Sequence, residues 1–379
     1  MIETAAQFSM TNPLHNNQEN HGTRVLAALS GGVDSAVATA LLVEAGYEVI
    51  AISMLLAGST EGHAGSCCSI DDFQDARRVA EQLGIPYYVL NLKEAFQTRV
   101  IDVFTQEYQH GRTPNPCLLC NRDLKFDLLW QRARELDAMY VATGHYARIG
   151  WDEVTRTAHL LRGADPYKDQ SYFLFTLNQA QLKRTLFPVG HLTKEQVRAK
   201  AQTLDLRVAE KPESQDICFV PDGNYARFLD QRIASDHVIS GEIVDQTGQV
   251  LGSHAGIHRF TIGQRRGLGL GGLTQPHYVT HIDPASGRVT VGTQDQLKRH
   301  GLRAKDVNWV SGNQPDKIQV AAKIRYRQDP IAATVSATTA TTAEVWFQEA
   351  SPAITPGQAV VFYDGDLVLG GGWIEGPLP

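Results

Sequence analysis

Residues 24–53 read RVLAALSGGVDSAVATALLVEAGYEVIAIS, and this stretch decides the fold. Arg24–Leu29 is a short apolar strand. Asp34–Ala45 is a helix of Ala, Val and Leu stopped by Gly46, and Glu48–Ser53 is a second strand. Strand, helix and strand in succession form a crossover unit, which sets the two strands parallel in one sheet. Between the first strand and the helix lie Ser30, Gly31, Gly32, Val33, Asp34 and Ser35. Two glycines let the backbone turn and approach an anion closely, and the start of the helix offers unpaired N–H groups to it. Taken alone, the loop is equally a glycine turn in which Asp34 or Ser35 starts a helix. Its place at the carboxyl end of the first strand of an open α/β sheet, where ligands bind, favours the anion. The segment is neither the GxxxxGK(S/T) loop nor GxGxxG.

The alternation continues outward. Asp71–Leu83 reads as a helix with Phe73, Ala76, Ala80 and Leu83 on one face, and Tyr87–Leu90 as a strand. Helices follow over Glu94–Tyr108 and Asn121–Leu136, then a strand over Met139–Thr143. This part is α/β, a mostly parallel sheet covered on both faces. Gly144 and His145 then fall on the same sheet edge as the glycine loop. Beyond Tyr225–Ile233 helical periodicity fades. EIVDQTGQVLG and HIDPASGRVTVG are hairpins, and after Arg303 the chain is nearly all short strands, which suggests a small barrel or sandwich.

The chain has 379 residues, 42% hydrophobic and 20% charged, a globular composition sufficient for two or three domains. The apolar run at Ala36–Val43 is broken at once by Glu44 and Gly46, so no membrane span and no membrane partner are expected. Residues 1–21 are polar and aperiodic, read as a disordered lead-in without the basic residues of a signal or transit peptide. A net charge of −6 argues against a nonspecific nucleic-acid coat, while Arg259–Arg266 and Lys323–Arg327 leave room for a local basic face.

Five cysteines, an odd number in a large chain, point to reduced, chemically used thiols and a cytoplasmic location. Cys117 and Cys120 form a CxxC in HGRTPNPCLLCN. With a helix predicted from Asn121, Cys120 falls at a helix N-terminus, where the dipole stabilises a thiolate. The pair fits half a zinc site, a redox pair, or a nucleophile with a neighbour. Zinc would need a second half, and the adjacent Cys67 and Cys68 with His63 supply a poor one. Cys218, in SQDICFV, has the default reading of a buried apolar residue.

SGGVDS resembles the PP-loop of the ATP pyrophosphatases. With it stand, in order, CCSIDDFQDARRVA, GRTPNPCLLCNRDLKF, ATGHYAR, KDQSYFL, ESQDICFV, HRFTIGQRRGL, KIRYRQ and TPGQAVVFYDGD. Together, from about Thr23 to Glu375, they resemble the bacterial tRNA-specific 2-thiouridylases. The resemblance implies a Rossmann-like PP-loop catalytic domain over 22–219, a small mixed or β central domain over 220–300 and a C-terminal β-barrel over 301–379.

It also implies a tRNA sulfurtransferase that thiolates C2 of the wobble uridine with ATP and Mg²⁺. ATP contacts carry over onto Ala28, Leu29, Ser30, Gly31, Gly32, Val33, Asp34, Ser35, Met54 and Gly144. Cys218 would carry a persulfide loaded by a sulfur-carrier partner or cysteine desulfurase, and Cys120 would resolve it to a disulfide. Base-proximal tRNA contacts fall on Asn115, Pro116 and Cys117, and others on His145, Lys168, Asp169, Gln170, Arg325, Tyr326 and Gln358. Arg325 and Arg327 are read as one face of a strand, suited to gripping phosphates. Many family members have Asp where this chain has Cys117. Cys117, Cys120 and Cys218 could therefore instead hold three corners of a [4Fe-4S] cluster that delivers sulfide. A small-molecule PP-loop ligase is the rival outside RNA chemistry. The cysteine pair and the basic C-terminal strands weigh against it.

Overall fold

The computed structural model describes residues 20–56, 70–212, 217–220, 222–271 and 275–378. The expected lead-in therefore lies outside the described residues up to 19. Asn20, within the expected lead-in, is buried and donates its amide to the Ala45 carbonyl at 3.0 Å.

β1 (Arg24–Ala28), β2 (Glu48–Leu55), β3 (Tyr87–Asn91) and β4 (Tyr140–Ala142) belong to a five-stranded sheet completed by the short strand Thr185–Leu186. The order is β3-β2-β1-β4 and then that strand, with every pairing parallel. The α/β reading holds, and the order reverses between β1 and β4, which places the ligand crevice there. α1 (Val33–Glu44) has eight buried residues and packs on nearly all sides, which is why its sequence is apolar all round. α2 (Ile70–Gln82) buries only Ala76, Val79 and Ala80.

The next hairpin, Ala147–Asp152 and Thr157–Arg162, leaves this sheet altogether. It pairs Leu161 with Leu367 and so extends the C-terminal sheet. Nothing in its own sequence announces that destination. A central four-stranded sheet contains both expected hairpins, Gly241–Val244 with Val250–His254 and Tyr278–Asp283 with Arg288–Gly292. Six strands between Lys298 and Pro377 then close into a barrel, because Lys298–Trp309 pairs with both Thr342–Pro352 and Leu367–Pro377. Closure removes the open edges of so long a sheet.

Three segments depart from the sequence reading. The helix expected at Asn121 begins at Pro116, since Pro is favoured at the first helical position and Asn115 caps it. It runs through a π-helical turn, Cys120–Lys125, and resumes at Leu128–Glu135. KIRYR is not continuous strand: pairing stops at Lys323, and Ile324–Gln328 turns away. Arg325 and Arg327 thus do not share a strand face. The helix after Asn224 ends at Asp230.

Gly190, just past the strand Thr185–Leu186, packs against the start of the stray hairpin. A Cβ there would lie 1.7 Å from the Ala147 carbonyl oxygen, and backbone cannot yield cheaply. Gly190→Ala is expected to cost about 3 kcal/mol or more of stability, read as a lowered urea midpoint at unchanged slope.

Candidate active site

The loop after β1 folds onto its own hydroxyls. The Ser30 N–H donates to Ser35 Oγ at 3.1 Å, and the Ser35 hydroxyl donates to the Gly32 carbonyl at 2.9 Å. With the Ser35 proton so engaged, the Ser30 hydroxyl is the donor in its 3.1 Å contact with Ser35 Oγ. Gly31 has φ +77°, and a Cβ there would lie 2.2 Å from the Asp72 carbonyl oxygen. At the end of β4 the backbone at Gly144 presses on the loop in the same way. A Cβ on it would stand 2.7 Å from the Ser35 nitrogen. Both glycines are required by close approach of backbone to backbone.

Two cavities open beside this loop. One of about 230 Å³ is lined by Ala28, Leu29, Ser30, Asp34, Ser35, Met54, Gly144 and His145, so most of the expected ATP residues meet there. Burial, with Lys125 adding its charge, holds His145 well below the ordinary imidazole range. It is a neutral ring, with Nδ1 2.7 Å from Thr143 Oγ1. The second is a polar cleft of about 860 Å³ that takes in Ser30, Gly32, Val33 and Asp34 on one side and Lys168, Asp169, Gln170 and Tyr326 on another.

Sequence reasoning missed the cations of this cleft. Lys194 Nζ lies 2.7 and 2.9 Å from the two Asp34 carboxylate oxygens, and the Tyr146 hydroxyl donates to Asp34 Oδ1 at 2.7 Å. Lys211 Nζ lies 2.7 Å from Asp72 Oδ1 and 2.6 Å from Asp75 Oδ2. Burial works against the Lys211 ammonium, but the bonds to Asp72 and Asp75 outweigh it and hold its pKa above the ordinary lysine value. Both lysines come from more than a hundred residues downstream of the loop, and no local motif marks them.

The remaining expected residues divide by what they touch. Asp169 is buried and accepts from the Gly163 and Ser171 N–H groups and the Ser171 hydroxyl, so it builds the turn that presents Lys168 and Gln170. Arg325 donates to the Ala353 carbonyl at 3.2 Å, while Tyr326 packs on Phe173 with ring centroids 4.5 Å apart. Gln358 donates to the carbonyls of Thr113 and Pro114 at 2.9 and 3.3 Å, so the barrel holds the approach to the CxxC helix. Asn115 lines a separate cavity of about 240 Å³ with Arg122 and Trp373.

Cys117 is exposed in the first turn of the helix capped by Asn115, its N–H donating to Asn115 Oδ1 at 3.2 Å. The dipole argument made for Cys120 therefore passes to Cys117. Cys120 lies one turn on, buried in an apolar cluster. That cluster also holds Leu119, Phe219 and Val220, with half-buried Cys218 packed against it. Segments about a hundred residues apart thus bring Cys120 and Cys218 into one cluster. Met54 packs on that cluster and also lines the smaller cavity, so it links the cluster holding the thiols to the cavity beside the loop.

Among the described residues no three His, Cys, Asp or Glu side chains are arranged to hold a metal ion. His63, Cys67 and Cys68 lie outside the described residues. Among the described residues no helix is long and apolar enough to cross a membrane.

Comparison with known proteins covers almost the whole chain. A family model described as tRNA methyl transferase HUP domain matches residues 23–222. A tRNA methyl transferase PRC-barrel domain matches 226–293, and an aminomethyltransferase beta-barrel domain matches 299–374. The chain is 53% identical over 364 residues to the tRNA-specific 2-thiouridylase MnmA of Geotalea uraniireducens, covering 94% of this chain and 96% of the relative. Identity is 53% to its counterpart in Geobacter metallireducens (93% and 96% covered) and 50% to that of Solibacter usitatus (93% and 99%).

Proposed function

The chain belongs to the tRNA-specific 2-thiouridylase family, and from that premise we propose that it thiolates C2 of the wobble uridine, position 34, of tRNA at the expense of ATP. The observation that carries this is Met54, which lines the cavity beside the glycine loop and packs on the cluster that gathers two thiols from distant segments. A ligase for small molecules needs the loop but not the thiols.

Uracil O2 is a poor leaving group until it is adenylated. The smaller cavity is suited to the adenosine, with the backbone N–H groups of the loop and α1 facing the phosphates. Asp34 and Asp72 are oxygen ligands beside the loop that suit Mg²⁺, which would offset charge on the departing pyrophosphate. The uridine O2 attacks the α-phosphorus, and pyrophosphate leaves. The terminal sulfur of a Cys218 persulfide, loaded by a sulfur carrier or desulfurase, then attacks C2, and AMP departs with its oxygen. Cys120 thiolate attacks Cys218 Sγ, the S–S bond to the base-bound sulfur breaks, and the thiocarbonyl is released. A dithiol reductant reopens the Cys120–Cys218 disulfide. Lys168, Gln170, Tyr326 and Arg327 line the wall of the large cleft suited to the anticodon, with the wobble base turned out of its stack. Asp169, Arg325, Gln358 and Asn115 serve this reading by shaping that wall and the CxxC approach. The setting is the cytoplasm, where thiols stay reduced.

The test is nucleoside analysis of tRNA from cells lacking the protein, with 2-thiouridine expected to vanish and to return with the wild-type gene. Cys117 decides the sulfur route. Cys117→Ser is expected to slow turnover without abolishing it, in iron-free protein given a persulfide donor and reductant. Loss as deep as that of Cys120→Ser, with activity tracking iron content, would assign all three thiols to a cluster instead.

A further inference from the structure

Lys211 occupies a position that the reaction as described does not use. It lines the large cleft together with Ser30, Gly32 and Asp34, and its ammonium is held by Asp72 and Asp75 at 2.7 and 2.6 Å. Asp72 is itself packed on the loop, its backbone carbonyl against Gly31. Two carboxylates around one ammonium leave excess negative charge beside a loop otherwise shaped for phosphate. The pair is only partly covered, with side-chain exposure of 26% at Lys211, so a polyanion can reach it. Lys194 is more enclosed, with side-chain exposure of 10%, and its carboxylate partner Asp34 is also held by Tyr146. A polyphosphate carries more charge than either carboxylate and offers several acceptor oxygens, so it competes well for an ammonium already placed at the loop.

We propose that Lys211 is a pyrophosphate-binding residue of the adenylation step, held by Asp72 and Asp75 at rest and passed to the β- and γ-phosphates when ATP binds. This rests on reading the loop as the ATP site. The exchange breaks two hydrogen bonds to carboxylates and makes new ones to phosphate oxygens, with no covalent change. It would also free the Asp72 carboxylate for a divalent cation brought by ATP.

Equilibrium binding of ATP, inorganic pyrophosphate and AMP to the full-length protein tests this. AMP lacks the pyrophosphate and serves as the internal control for folding. Lys211→Met is expected to weaken ATP and pyrophosphate about 10- to 100-fold, the worth of one charge-assisted hydrogen bond, and to leave AMP unchanged. Lys211→Arg keeps the charge and should recover most of the loss. Asp75→Asn removes one competing carboxylate and should leave ATP as tight as before or tighter. Equal weakening of all three ligands by Lys211→Met would make the residue a structural latch and overturn the proposal. So would ATP binding unaffected by the substitution, or weakened as much by Asp75→Asn. Wild-type protein that binds none of the three ligands would overturn the ATP reading of the loop, and the proposal with it.

Discussion

Cys218→Ser protein, given ATP, tRNA, a persulfide donor and reductant, is expected to release pyrophosphate in a burst and to form no 2-thiouridine. The steady-state rate should fall by at least about 10³-fold, as for removal of a nucleophile that acts as a unit with its partners. Cys218 sits at the surface of the apolar cluster rather than in its middle, and serine differs from cysteine by one atom. The fold should survive, so the lost activity reports chemistry. Adenylation needs the glycine loop and the uridine oxygen but no thiol, which is why the burst should remain. Cys120→Ser, assayed without added reductant, should stop one step later, with the base joined to Cys218 through a disulfide. That adduct between tRNA and protein should be visible on a denaturing gel and vanish with dithiothreitol. Thiolation at the wild-type rate by Cys218→Ser would remove the persulfide relay from consideration.

Asp34→Asn should abolish the burst itself. Asp34 sits in the first turn of α1 and lines the cleft beside the loop that the proposed reaction assigns to the phosphates. The amide keeps the shape and can still accept from Tyr146, but it loses the negative charge that holds Lys194. Pyrophosphate release is expected to drop by about 10³-fold, in line with the loss of an electrostatic contact made to the transferring group, while tRNA binding stays near wild type. Asp34→Ala is a less clean variant. It removes a carboxylate from a largely buried ammonium and should cost roughly 2 kcal/mol of stability besides. Measuring the thermal midpoint of both variants separates the two effects. A normal burst from folded Asp34→Asn would refute the assignment of this side chain to adenylation.

Much of this site was legible because its parts are local. Ser30 to Ser35 are contiguous, and a strand, a glycine turn and an apolar helix carry their own geometry. Gly144 follows from the same logic, since a parallel sheet places the ends of its strands on one edge. The start of the CxxC helix is also written locally, in Asn115 and Pro116, five residues ahead of the periodic stretch at Asn121. The π-helical turn from Cys120 interrupts the 3.6-residue period between the two. The KIRYR strand failed for the opposite reason. Its alternation is a sound strand pattern, but the Lys323 end of the pairing is set by neighbouring strands, not by its own residues.

By itself the sequence determined the parallel α/β core, the phosphate loop, the hairpins of the central sheet and the strand-rich C-terminal part. Each depends on hydrophobic period, glycine and turn chemistry over a few residues. Only the tertiary structure decided which distant side chains meet. It set Lys194 on Asp34 and Lys211 on Asp72 and Asp75, brought Cys120 and Cys218 into one apolar cluster, and used Gln358 of the barrel to hold the CxxC approach. It also sent the hairpin at 147–162 to a sheet more than two hundred residues away. An ion pair or a strand edge is chosen by the geometry of the finished fold, because charge and hydrogen bonding act through space at a few ångströms, whatever the separation along the chain.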